Sequence, residues 1–256
     1  MSIYATEITS ETEPSDGPIH YRLLKAYILA EEFIFGDVLE VGCGEGRGIS
    51  QLIHKAKTFT ALDKIEEALN KLRNQFPSGT FIAGSFPPFP VPSDTYDVVI
   101  SFQVIEHIRE DQFFLNEIHR VLKPGGRAIL STPNRPLSLT RNPWHEREYT
   151  GEELLKLARS VFAHAEMKGI TGNAKVMEYH AQNKKSVARY TRWDIFNLQH
   201  RLPASVLRVP YEILNRMNRK KLQSGHQELV SGITHHDYIL THDYENALDL
   251  FLTVRK

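Results

Sequence analysis

The nine residues from Val38 to Gly46, VLEVGCGEG, constrain this chain more than any other stretch. A short apolar run is followed at alternate positions by Gly42, Gly44 and Gly46, and then by a segment that reads as a helix. Glycine suits such a strand-to-helix turn because the torsions exclude side chains and because a ligand can approach the backbone where no Cβ intervenes. About 20 residues further on, Asp63 closes the apolar run of ALDK, where an acid can hold both hydroxyls of a ribose. Either feature alone has a plainer reading, a tight turn or a helix N-cap before IEEALNKL. Together they point to a nucleoside-bearing cofactor. The G-x-G-x-G spacing, with Glu40 two residues ahead, differs from the G-x-G-x-x-G of dinucleotide sites and argues against a bound pyrophosphate.

Around this turn the pattern alternates. Leu23, Leu24, Tyr27 and Ile28 recur at helical spacing between Tyr21 and Phe35. Strands are predicted at Val38–Val41, Phe59–Leu62, Phe81–Ala83, Val98–Phe102, Arg127–Ser131, Ala165–Ile170 and Leu248–Val254. Helices are predicted at Gly48–His54, Ile65–Phe76, Asp111–Leu122 and Glu152–Val161, the last after the N-cap residue Thr150, and KPGG reads as a Pro-Gly turn. Alternation of this kind predicts an α/β fold, a doubly wound and mainly parallel seven-stranded sheet with ligands at the carboxyl ends of its strands. Residues 172–243 are too many for a loop between neighbouring elements and predict a helical insert before the last strand. Residues 1–20 read as a flexible polar lead and 21–256 as one domain.

Lys plus Arg number 31, as do Asp plus Glu, so the whole molecule has no field that draws in nucleic acid or anionic lipid. The single cysteine, Cys43, excludes an intrachain disulfide and a Cys-clustered zinc site, and fits a reducing compartment. With neither a secretory-type leader nor an apolar run long enough to span a bilayer, a cytoplasmic location is expected.

Three segments, VLEVGCGEG, YDVVISFQVIEHI and VLKPGGRAILSTPN, resemble the class I S-adenosylmethionine-dependent methyltransferases, in particular the type 11, ubiquinone-biosynthesis-like group. The resemblance runs from Val38 to Asn134 and implies a Rossmann-like domain with S-adenosyl-L-methionine as cofactor. It implies that Gly42, Gly44 and Gly46 lie against the methionine portion and that Asp63 binds the ribose, with Glu40 and Lys64 also among the cofactor-binding residues. Gly84, Ser85 and Phe86 would border the adenine, and Gln103 would face the cofactor. Ser85 stands where many relatives carry Asp. The Asn/Asp-Pro-Pro-aromatic motif of DNA and protein-glutamine N-methyltransferases is absent, and Cys43 is misplaced for the nucleophile of RNA 5-methylcytosine enzymes.

Methyl transfer from a sulfonium is an in-line displacement that rests mostly on positioning, and a hydroxyl acceptor also gains from a general base. His107 and His145 are the candidates for that base, each with a packing role as the plainer reading. Ubiquinone-biosynthesis enzymes use Glu-x-x-Glu-His in this region, but here Gln103 replaces the first acid, so no metal is expected. His235, His236 and His242 show no zinc pattern and read as a solvated loop.

The insert conceals a local charge. Residues 184–221 hold ten basic side chains against Asp194 and Glu212. Tyr190, Trp193 and Phe196, then Leu207, Tyr211 and Leu214, suggest two amphipathic helices around Leu202 and Pro203. Such helices can form a packed cap, a lid for a small or lipid-linked acceptor, or a membrane-surface contact through residues 184–221. Bulk nucleic acid is not the expected partner. The alternatives are an RNA-directed methyltransferase using the basic insert and a non-catalytic cofactor-binding interaction protein; a nicotinamide oxidoreductase is disfavoured by the glycine spacing. The segment NPWHEREYTGEELLKLARSVF is loosely similar to methyltransferases of bacterial cell-surface polysaccharide synthesis.

Overall fold

The computed structural model describes residues 13–192 and 198–256. Residues 1–12 of the lead, Trp193, Asp194 and Phe196, and the side chain of Tyr190 lie outside the described residues. In chain order the elements are helix α1 (Gly17–Ala30), strand β1 (Asp37–Val41), α2 (Ile49–Leu52), β2 (Thr58–Asp63), α3 (Glu66–Gln75), β3 (Thr80–Ala83), β4 (Tyr96–Phe102), α4 (Asp111–Val121), β5 (Leu122–Pro133), α5 (Gly151–Arg159) and β6 (His164–Gly172). There follow α6 (Ala174–Thr191), α7 (Leu198–Arg201), α8 (Ala204–Gly225), α9 (Gln227–Ser231), β7 (Tyr238–Thr241) and β8 (Asp249–Arg255).

One sheet carries eight strands in the order β3-β2-β1-β4-β5-β8-β6-β7. The first five positions are parallel, and β8 enters antiparallel between β5 and β6. This is a Rossmann-like doubly wound sheet with one strand more than the seven predicted. The addition is β7, which pairs antiparallel with β6 at the edge. Its residues YILT sit between polar and histidine-rich neighbours, so four residues offered too short a pattern to read.

Alternation along the central strands divides the core. Val38, Val98 and Ile100 face α1, α2 and the insert, while Leu39, Val99 and Leu130 face α4 and α5. Both faces are therefore covered, which is why these strands read as near-continuous apolar runs. Thr150 caps α5 through a reciprocal capping box with Glu153.

Three further expectations change. KPGG does not precede the strand as a separate turn but lies inside β5, where Tyr96 pairs with Leu122 and the register then slips to Val98 with Arg127. Gly125, at φ 78°, takes up the slip. Residues 13–20 of the lead are not a flexible tail: Ser15 and Asp16 are buried, and Asp16 pairs with Arg216 and Arg219 of α8. Its polar composition concealed that anchor. His235 and His236 form a short 3-10 turn with Asp237 rather than a loop, with the His235 ring against Tyr21.

Candidate active site

The glycine turn leaves β1 at the centre of the sheet, beside the point where the strand order reverses between β1 and β4. Such a crevice at the strands' carboxyl ends is where open α/β sheets take ligands. Gly42 has φ 82°, and a Cβ there would lie 2.3 Å from Val104 Cγ2. Gly44 has φ 53° and nothing within 4 Å of its Cβ position, so an open approach to the backbone meets a conformation that side chains resist. The Asp63 carboxylate links the two halves of the turn: Gly44 N donates to Oδ2 at 2.7 Å and Ile65 N to Oδ1 at 2.9 Å. Asp63 is not the N-cap of α3, a place taken by Ile65 with no side-chain cap, but it ties the turn to the segment before α3 and also lines the cavity.

That cavity is about 1340 Å³, and its floor is formed by Gly42, Gly44, Asp63, Lys64, Ser85 and Gln103, with Phe86 also on the wall. Glu40, Gly46 and Gly84 do not line it. Glu40 lies one layer below, where Tyr27 Oη donates to Oε1 at 2.7 Å and Oε2 is buried without a partner. Burial raises the Glu40 pKa to about 7. Gly46 faces Leu72, 2.4 Å from its Cβ position, and so allows α3 to approach. Gly84 N donates to the Asp63 carbonyl, steadying the end of β3 beside that acid. Gln103 adopts φ 58°, an uncommon conformation for a non-glycine residue, held by its N–H to Ser131 O at 2.8 Å. Cys43 is buried and its thiol is held protonated by desolvation, consistent with a packing role.

The two candidate bases meet. Glu146 and Arg147 donate their backbone N–H groups to the Glu106 carbonyl, which draws the segment after β5 onto the turn after β4. The His107 and His145 rings then stand edge to face with centroids 4.9 Å apart. His107 Nδ1 lies 2.9 Å from the Trp144 carbonyl, so Nδ1 carries the hydrogen and Nε2 the basic lone pair. His145 is held differently, with Nδ1 2.7 Å from Glu148 Oε1 and Nε2 2.8 Å from Asn142 Nδ2. Beneath them Glu106 is fully buried; Thr132 Oγ1 donates to it at 2.9 Å, and desolvation raises its pKa. Glu106, His107 and His145 offer ligand atoms within 4.8 Å of one another, the one such group among the described residues. No carboxylate comes from position 103, and Glu106 Oε1 is buried without a hydrogen-bond partner.

The insert closes the cavity from the other side with Leu207, Tyr211, Leu214 and Asn218 of α8. It is clipped to the segment after β5 at three places. Arg141 donates to the carbonyls of Gln199 and Leu202, Trp144 Nε1 donates to Glu212 Oε1 at 2.9 Å, and the Arg208 guanidinium lies 4.2 Å from the Trp144 ring centre. The basic run is thus divided: Arg208, Arg216 and Arg219 are engaged inside the fold, while Lys184, Lys185, Arg189, Lys220 and Lys221 are exposed or half-buried at its surface. Tyr27 and Arg208 carry no site signal in the sequence. Tyr27 occupies an ordinary apolar helix position, and Arg208 is one basic residue among ten.

The glycine turn and the strand order give the fold shared with class I S-adenosylmethionine-dependent methyltransferases, whose cofactor is S-adenosylmethionine. Residues 39–130 match the family described as methyltransferase domain. It is 35% identical over 161 residues to a Mycolicibacterium smegmatis protein named "Probable S-adenosylmethionine-dependent methyltransferase", covering 59% of this chain and 61% of that one. A fatty-acid O-methyltransferase of the same species is 35% identical over 103 residues, 39% of this chain and 37% of the relative. A phthiotriol/phenolphthiotriol dimycocerosates methyltransferase of Mycobacterium tuberculosis is 32% identical over 121 residues, 44% of each chain. The matches thus span between about two fifths and three fifths of these relatives' lengths. Among solved structures, a SAM-dependent methyltransferase from Thermotoga maritima superposes with TM-score 0.59 at 14% identity, over 93% of this chain and 92% of that one, and shares the fold.

Proposed function

We propose that this protein transfers a methyl group from S-adenosylmethionine to an oxygen of a small or lipid-linked acceptor. The observation that carries the reading is one continuous cavity, walled on one side by Gly44 and Asp63 and on the other by the apolar residues of α8. A volume of about 1340 Å³ exceeds the ~300–1,000 Å³ of ordinary ligand sites and leaves room for two molecules side by side. The open Gly44 backbone and the lone-pair capacity of Asp63 suit the amino-acid and ribose portions of the cofactor, with Phe86 and Ser85 bordering its base.

When bound, S-adenosylmethionine supplies an activated methyl carbon: the acceptor oxygen bonds to it as the carbon–sulfur bond breaks, and sulfur departs with the electron pair. His107 Nε2 takes the acceptor's proton, its tautomer fixed by the Trp144 carbonyl. His145, held by Glu148 and Asn142, positions His107 through the ring contact. Leu207, Tyr211 and Leu214 exclude water and favour an acceptor with an apolar body, in keeping with the relatives whose names specify fatty acids and dimycocerosates. The test is calorimetric titration with S-adenosylhomocysteine, followed by turnover assays on free fatty acids, long-chain alcohols and lipid-linked sugars. Binding of the cofactor product together with methylation of one of these supports the reading. Tight binding of NAD and none of S-adenosylhomocysteine refutes it.

A further inference from the structure

α8 is apolar on two faces. Leu207, Tyr211 and Leu214 look into the cavity. On the outer side Val206, Val209, Ile213 and Met217, spaced by three, four and four residues, form a stripe one helix face wide, each between 55% and 66% exposed. Isolated apolar side chains on a surface need no explanation, but a contiguous row does. Two more exposed apolar residues, Leu198 of α7 and Leu214, also line the cavity, so the stripe runs on into its mouth. Lys220 and Lys221 follow directly at the end of the stripe, and the Asn183–Asn218 hydrogen bond brings Lys184 and Lys185 of α6 alongside. Between residues 198 and 225 Arg208, Arg216 and Arg219 are engaged inside the fold, Arg201, Lys220 and Lys221 are exposed, and the one acid, Glu212, is engaged by Trp144. Among the described residues no helix is long and apolar enough to cross a membrane.

We propose that α8 docks flat on an anionic bilayer surface, with Val206, Val209, Ile213 and Met217 seated at the acyl boundary and Lys220 and Lys221 at the headgroups. An apolar row bordered by lysines is the composition that holds interfacial helices on negatively charged lipid. Headgroup phosphates complement the lysines beside the apolar row. The continuity past Leu198 and Leu214 places the cavity mouth at the membrane plane. This docking is independent of methyl transfer and stands or falls by lipid binding alone.

The experiment is flotation of the full chain with vesicles of phosphatidylglycerol and phosphatidylcholine, and with phosphatidylcholine alone, beside sedimentation velocity without lipid. The intact protein is expected to float with the anionic vesicles and not with the neutral ones. The Val209→Asp/Ile213→Asp and Lys220→Glu/Lys221→Glu pairs should each weaken that binding at least about tenfold while circular dichroism and S-adenosylhomocysteine affinity stay unchanged. None of the four residues lines the cavity. Failure of the intact protein to float, or equal binding by the aspartate pair, overturns the proposal. So does a dimer that the aspartate pair dissociates, which assigns the stripe to a second copy of the chain.

Discussion

Asp63 shows how much one side chain is asked to do. Its two oxygens already tie Gly44 N and Ile65 N, and the residue lines the cavity. Asp63→Ala should therefore abolish measurable S-adenosylhomocysteine binding in calorimetry, because the turn loosens and the ribose loses its acceptor in the same step; undiminished binding would remove Asp63 from the cofactor site. His107→Ala should lower kcat by about 10² or more, with that affinity preserved, because only proton transfer is removed. Equal turnover would exclude His107 as the base. Glu40 gives a pH signature. Its folded pKa of about 7 lies above the ordinary carboxylate value, so between those two pH values the unfolded chain gives up the proton first, and stability falls as pH rises. Glu40→Gln retains an acceptor for Tyr27 and should flatten that decline, by up to about 1.4 kcal/mol for each pH unit in the window. Urea unfolding of both proteins between pH 5 and pH 7, roughly the span between a carboxylate's usual pKa and the raised one, is the measurement; parallel curves would show that Glu40 is not the group responsible. The glycines and Asp63 are legible in the sequence because their chemistry is local. The tautomer-fixing partner of His107 is not, since Trp144 acts through a carbonyl oxygen that every residue possesses, and the Glu106 carbonyl that draws the two histidine segments together is equally generic.

At the level of elements, legibility follows length and periodicity. The strands and helices from β1 to α5 are each foreshadowed within a few residues, because buried parallel strands are apolar throughout and helices alternate with them. Thr150 is identifiable as a cap because Glu153 follows three residues later, and both halves of the capping box are formed. Thr150→Ala should cost about 1 kcal/mol in urea unfolding, and a cost below a few tenths would show that packing alone holds α5. β7 escapes a sequence reading because its pairing with β6, Gly169 to Thr241 through Gly172 to Tyr238, is a long-range event. The insert reads as helical from its periodicity, but its basic residues read as one patch. Their separation into inward-facing Arg208, Arg216 and Arg219 and outward lysines depends on partners far away in the chain, above all Asp16.

For the molecule as a whole, that same acid joins the beginning of the described chain to the insert that covers the cavity. Asp16 is 1% exposed and Arg219 6%, and their side chains meet at 3.0 Å across more than 200 positions of sequence. Arg216 adds a second contact from the next turn of α8, at 3.3 Å. A buried pair is weak evidence of net stability, because desolvation offsets much of the attraction, yet removing one partner is costly since the other charge stays buried. The expected consequence of Asp16→Ala is therefore local: Arg219 pulls α8 away from the sheet, while the central strands keep their packing. Hydrogen exchange should accelerate across α8 and α9 by more than about tenfold and change little in β1, β2 and β4, as expected of a sub-global opening. Asp16→Leu combined with Arg219→Met should return exchange toward the original rate, because apolar replacements of both partners leave no unpaired charge. If exchange instead rises uniformly, Asp16 supports the entire fold and the insert does not open separately. If it rises nowhere, the apolar face of α8 suffices to hold the cavity closed and the ion pair has no part in it.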